Sequence, residues 1–166
     1  MSRRSTLPAS PESEVQASCR SILEVHGCRV ERRNTGVMRI QDERTGKARY
    51  VRFGEPGAAD LFGTFPGGRH FELEVKRKDA RPRLEQVRWL RSANRWSPAF
   101  WVDSVDDLRR ILPHLIAGAS IVYLPAPWTF KVELELPDGG RRSAWVHEPG
   151  GDYDVEYLPS LSSMQE

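Results

Sequence analysis

Cysteine is scarce in this chain: Cys19 and Cys28 are the only two in 166 residues, too few for a disulfide framework. Their spacing matches no zinc site, and His26 beside Cys28 adds too few ligands to make one. His70, His114 and His147 are scattered without ligand spacing. No apolar run approaches the roughly 20 residues that span a bilayer, so no membrane association is expected. The opening Met1-Ser2-Arg3-Arg4-Ser5-Thr6 is basic but has no apolar segment behind it, unlike a secretory signal. Reduced thiols and the lack of an export signal point to a cytoplasmic protein.

What is present is an ordinary soluble composition, 39% hydrophobic and 29% charged, in a length that suits one domain with a modest core. The net charge of +2 hides an asymmetry. Arg32, Arg33, Arg39, Arg44, Lys47 and Arg49 crowd the stretch from Arg29 to Arg52, opposed by Glu31, Asp42 and Glu43. A second basic cluster runs through Lys76, Arg77, Lys78, Arg81, Arg83, Arg88, Arg91 and Arg95, and beyond Lys131 the acids dominate. A basic centre of this kind suits contact with a phosphate backbone, although a solvated charged face has the same composition.

The chemistry-bearing pattern is Asp60 followed by Glu74-Val75-Lys76. In Phe71-Glu72-Leu73-Glu74-Val75-Lys76 apolar and charged residues alternate, so a strand would send Phe71, Leu73 and Val75 to one face and Glu72, Glu74 and Lys76 to the other. Ala58 to Gly63 reads as a second strand, and Pro66-Gly67-Gly68 supplies a turn that folds the two together. Asp60 then lies beside Glu74. Two carboxylates on adjacent strands suit a hard divalent cation, Mg²⁺ or Mn²⁺, with room left for water and a phosphate. Such an ion can activate water and stabilise negative charge at phosphorus. Lys76 would orient that water or offset developing charge. The bland alternative is a half-exposed strand with a charged outer face. Glu72 shares the face of Glu74 and is a rival ligand.

At these residues the chain resembles the PD-(D/E)XK nuclease superfamily, and within it the VRR-NUC domains, including the small stand-alone versions of phages and prophages. The resemblance runs from about Glu12 to about Leu112. It rests on Glu14 and Gln16 in the first helix, Arg33-Asn34-Thr35-Gly36, Gly57-Ala58-Ala59-Asp60-Leu61, Glu74-Val75-Lys76 and Gln86 in a following helix. The chain departs from the family in having Ala59 before the aspartate and Arg95-Trp96-Ser97-Pro98 where relatives place a glycine. The resemblance implies that Asp60, Glu74 and the Val75 carbonyl hold the metal, that Lys76 serves the attacking water, and that Gln86 and Glu14 complete the site. Arg33, Asn34, Arg77, Lys78, Arg81 and Arg83 are the expected nucleic-acid contacts.

The expected fold is α/β: a restriction-endonuclease-like core with a mixed central sheet flanked by helices, order αβββαβ, and a C-terminal β-hairpin extension. The division is a flexible N-terminus (1–10), a nuclease core (11–117), an extension (118–157) and a flexible tail (158–166). Helices are expected from Pro11 to His26, capped by Ser10, and from Arg83 to Ala93 with Leu84, Val87 and Leu90 as its apolar stripe. A third opens at Ser104 and is kinked or ended by Pro113. A β-hairpin is expected from Thr129 to His147 around Pro137-Asp138-Gly139-Gly140. Trp89, Trp96 and Trp101 read as core, with an exposed Trp96 able to stack on an unpaired base.

Together these features lead to the expectation of a Mg²⁺- or Mn²⁺-dependent nuclease that hydrolyses DNA. A chain this small would need a partner subunit to cut two strands symmetrically, which makes a homodimer a further expectation. Two other classes stay open, an inactive nuclease-fold module that binds DNA and a phage protein-interaction factor. The acidic C-terminal segment favours the latter.

Overall fold

The computed structural model describes residues 11–34, 36–42, 44–135, 141–147 and 155–157. In chain order the elements are α1 (Glu12–Val25), β1 (Arg29–Arg32), β2 (Gly36–Gln41), β3 (Ala48–Phe53), β4 (Leu61–Thr64), β5 (His70–Val75) and α2 (Leu84–Ala93). They continue as β6 (Ala99–Val102), α3 (Val105–Ile116), β7 (Ser120–Tyr123), β8 (Phe130–Glu135), β9 (Arg141–His147) and β10 (Val155–Tyr157). Ser10 and the rest of 1–10, Thr35, Leu136, the turn at 137–140 and the tail 158–166 lie outside the described residues.

The central sheet has the order β1-β4-β5-β6. β1 with β4 and β4 with β5 are antiparallel, while β5 and β6 are parallel and joined through α2. The sheet is therefore mixed, and with α1 its elements follow in the order α1, β1, β4, β5, α2, β6. Gly63 lets β1 and β4 approach, since a Cβ there would sit 1.8 Å from the Arg29 carbonyl oxygen. β5 is buried on both faces, from Phe71 through Lys76, which removes the half-exposed alternative. Phe71, Leu73 and Val75 join Cys19, Leu23, Leu108 and Leu112 in the apolar cluster. The other face of β5 looks toward α2.

α1 buries Gln16, Cys19 and Leu23, residues three and four apart that share one helical face. Both cysteines are free and buried, and burial, reinforced by the Asp107 charge, pushes the Cys19 thiol up to about 12. α3 begins at Ser104, whose hydroxyl accepts from the Asp107 N–H at 3.2 Å. Pro113 does not end it, and the helix runs on to Ile116. Proline in the last turn deprives only the Arg109 carbonyl of its donor, and Arg109 is exposed to water. Leu84 departs from the expected apolar stripe of α2: it is the first residue of the helix and 56% exposed, while Val87 and Leu90 are buried.

A second, antiparallel sheet has the order β7-β8-β9-β10. β8 and β9 are the two arms of the expected hairpin, with β7 beside β8 and an unanticipated β10 beside β9. Ile121, Phe130 and Val132 enter the same hydrophobic cluster as the central sheet. Among the described residues β2 and β3 pair only with each other. Among the described residues no helix is long and apolar enough to cross a membrane.

Candidate active site

Asp60, Glu74 and Lys76 meet at the C-terminal end of β5. β4 begins at Leu61, later than the expected Ala58, so Asp60 belongs to the turn before the strand. The pairing of Leu61 with Leu73 puts it level with Glu74. Its Oδ2 accepts from the Val75 N–H at 3.1 Å, and its carbonyl accepts from the Arg33 N–H at 2.8 Å. The carboxylate is thus tied across the strand end. A strand residue points its carbonyl to the same edge as its N–H, so the Val75 carbonyl faces the edge where Asp60 lies.

Glu74 is fully buried. Its Oε1 accepts from Gln86 Nε2 and lies 2.5 Å from Lys76 Nζ. Its Oε2 is buried without a hydrogen-bond partner. An unsatisfied buried oxygen costs about 1–3 kcal/mol, which marks Oε2 as a vacant acceptor. Burial, followed by the nearby Asp60 charge, pushes the Glu74 carboxyl up to about 8 despite Lys76. Burial also raises Asp60, against the Val75 N–H bond and the Lys76 charge. For Lys76 burial works the other way, but Glu74 and then Glu12 and Asp60 outweigh it, and the ammonium is held above its ordinary value.

Gln86 reaches Glu74 because α2 starts close to Asp60. The Gln86 Oε1 accepts from the Arg83 N–H at 2.8 Å, which fixes the amide with its NH₂ toward Glu74. Gly57 holds that start in place: its φ is +78°, and a Cβ there would meet the Glu85 carbonyl oxygen at 2.8 Å. The second sheet braces the approach to α2. The Trp128 indole donates to the Pro82 carbonyl at 3.0 Å, and the Arg81 guanidinium lies 5.1 Å from the centroid of the Trp128 ring. Arg91 donates to the Leu124 carbonyl at 2.8 Å.

Two expectations change. Glu14 lies exposed on α1, and Glu12 is the acid that reaches the site, with Oε1 3.5 Å from Lys76 Nζ. Helical spacing carried this signal, because Glu12 and Gln16 are four apart and share a face, whereas Glu14 and Gln16 do not. Arg33 is committed inward. It donates to both oxygens of Glu72, at 3.1 and 3.3 Å, and sits 4.6 Å from the Phe62 ring centroid and 5.4 Å from that of Trp89. Trp89 also donates to Glu72. Burial alone would raise the Glu72 carboxyl, but these donors hold it below its ordinary value. Glu72 is therefore satisfied, and its rivalry with Glu74 as a ligand ends.

Asn34, Arg77, Lys78, Arg81 and Arg83 are exposed. Arg83 joins Arg52, Asp60 and Gln86 in the wall of a cleft of about 260 Å³ between the end of β3, the turn before Asp60 and the start of α2. Trp101 is fully buried, Trp89 is partly buried and Trp96 is 88% exposed. Among the described residues no three His, Cys, Asp or Glu side chains gather as a metal-binding cluster. The donors at hand are two carboxylates and a backbone carbonyl, and the vacant Glu74 Oε2 is the observation that fits a cation. Hard divalent ions are commonly held by one or two carboxylates, with water and phosphate filling the remaining positions. Comparison with models of known protein families, with curated proteins and with solved structures finds no match.

Proposed function

We propose that this chain is a metal-dependent nuclease that hydrolyses DNA phosphodiester bonds at the Asp60–Glu74–Lys76 site. The observation that carries the reading is Glu74, a fully buried carboxylate with one oxygen bonded to Lys76 and Gln86 and the other without a partner. The order α1, β1, β4, β5, α2, β6 also supports a PD-(D/E)XK core of the VRR-NUC kind. Asp60, Glu74 and the Val75 carbonyl would hold Mg²⁺ or Mn²⁺. When bound, such an ion lowers the pKa of a coordinated water and offsets negative charge at phosphorus.

The chain's own residues supply the rest. Gln86 keeps Glu74 Oε1 in place, so that Oε2 stays directed away from its two donors. Lys76 carries a cation at the edge of the site and is positioned to hydrogen-bond an attacking water or an oxygen of the phosphate. Glu12 in turn draws the ammonium toward α1, which limits its freedom. Arg83 and Arg52 in the cleft wall attract a phosphate strand, and Arg77 and Lys78 extend that charge beyond β5.

Labelled single-stranded, duplex, flap and four-way-junction DNA, incubated with Mn²⁺, Mg²⁺ or EDTA, tests the reading for wild type and Glu74→Ala. Cutting that needs the metal and vanishes in the variant is the expected result. Binding without cutting under every condition would replace it with an inactive DNA-binding module, and neither binding nor cutting with an interaction protein.

A further inference from the structure

We infer that the β2–β3 ribbon is an arm that docks in the major groove of duplex DNA and leads it to the cleft, an inference that rests on the proposed nuclease reading. The ribbon stands apart from both larger sheets. Its six-residue strands reach roughly 20 Å. Residues opposite each other in an antiparallel pair share a face, so Val37 with Arg52, Arg39 with Tyr50 and Gln41 with Ala48 form one side.

Every residue on that side is exposed, including Val37 at 55% and Tyr50 at 71%. On the other side Gly36, Ile40 and Val51 are partly covered, while Met38 at 53% and Arg49 are exposed. The side that carries Val37 and Tyr50 is thus the more open, outer face. A free-standing apolar and aromatic surface of this kind needs an occupant, and its charge identifies one. Arg39, Arg44, Lys47, Arg49 and Arg52 are all exposed. The Asp42 carboxylate accepts from the Arg44 and Thr45 N–H groups at 2.9 and 3.0 Å, which ties it into the turn. Arg44 and Lys47 are thus presented beside a turn that Asp42 holds.

Shape selects among polyanions. The major groove of B-form DNA, about 12 Å wide, admits a two-stranded ribbon. The corresponding groove of A-form RNA is too narrow for side chains to read. Val37 and Arg52, at the root of the outer face, also line the cleft that holds Asp60 and Gln86. A duplex gripped along this face would therefore run toward the candidate active site.

The test is binding of labelled duplex DNA, duplex RNA and single-stranded DNA to the full chain in EDTA, by fluorescence anisotropy across a salt series. It compares wild type, Arg39→Ala/Arg44→Ala and Tyr50→Ala. These side chains are exposed, and melting temperatures within a few degrees of wild type establish that the variants fold. The double variant is expected to lose at least tenfold in duplex DNA affinity and to lower the salt slope by about 2, one for each phosphate contact removed. Wild type should prefer duplex DNA to duplex RNA, and that preference should shrink in both variants.

Duplex DNA affinity within twofold of wild type in the double variant, or equal losses on DNA and RNA duplexes, would overturn the arm. So would a variant that only separates a dimer in sedimentation and leaves DNA affinity intact, since the ribbon would then join copies of the chain. The two readings fail separately. Metal-dependent cutting that survives while the ribbon proves irrelevant removes the arm alone, and ribbon-dependent binding without cutting removes the nuclease alone.

Discussion

Replacing Glu74 by glutamine removes the charge of the most deeply buried acid of the site while keeping an amide of nearly the same shape for Gln86 and Lys76. Burial and Asp60 raise the Glu74 carboxyl from 4.5 to about 8. An acid raised in the folded state binds its proton more tightly there than in the unfolded chain, so its contribution is fully present below 4.5 and is lost as the pH rises to 8. At about 1.4 kcal/mol per pH unit, the loss across that window is on the order of 4 kcal/mol. The glutamine variant has no such loss.

Glu74→Gln should therefore be more stable than wild type at pH 8 by about 4 kcal/mol, which corresponds to roughly 8–16 °C in melting temperature for a chain of this size. Near pH 5 the two should converge. Mn²⁺ at about a hundred times its dissociation constant should stabilise wild type by about 2.7 kcal/mol and leave the variant unmoved, narrowing the gap at pH 8. Calorimetry from pH 5 to 8, with Mn²⁺ and with EDTA, reads all of these. A difference between the two proteins that stays flat with pH would refute the assignment of Glu74 as a raised, buried carboxyl, and an equal response to Mn²⁺ would refute its role as a ligand.

Other consequences are local and separable. Gly57→Ala should destabilise the fold by about 1–3 kcal/mol, because a methyl at a φ of +78° meets the Glu85 carbonyl, and cleavage should fall further than stability as α2 shifts from Glu74; chemical denaturation and cleavage rates compare the two. Arg33→Ala should destabilise by about 3 kcal/mol, since it strips the buried Glu72 of its ion pair. Arg77→Ala/Lys78→Ala should leave stability within about 0.5 kcal/mol but weaken DNA binding, as urea melts and anisotropy would report. Glu12→Gln should change the pH profile of cleavage through Lys76, and Glu14→Gln should leave it as in wild type. Burial and a hydrogen bond with Asp107 push Asp103 up to about 7 from 3.8. Stability from that group is thus lost as pH rises through this range, and Asp103→Asn should flatten that part of the melting profile.

The sequence by itself determined what depends on neighbours along the chain. Alternation in Phe71 to Val75 specifies a strand, the apolar residues Val15, Ile22, Leu23 and Val25 a helix, although Val25 ends 84% exposed, and Ser104 a cap, because each rests on a local period or a single hydrogen bond. It also brought Asp60, Glu74 and Lys76 together through the turn at Pro66 to Gly68, whereas Gln86 was expected there only from the family resemblance. Tertiary structure alone decided the rest. Whether Glu12 or Glu14 reaches Lys76 depends on how α1 is rotated against β5. Whether Arg33 meets a phosphate or Glu72 depends on Phe62 and Trp89, residues far away in the chain. Burial likewise turned Glu74 from a charged strand residue into a raised carboxyl with a vacant oxygen, because desolvation is set by everything packed around a group and no stretch of sequence encodes it alone.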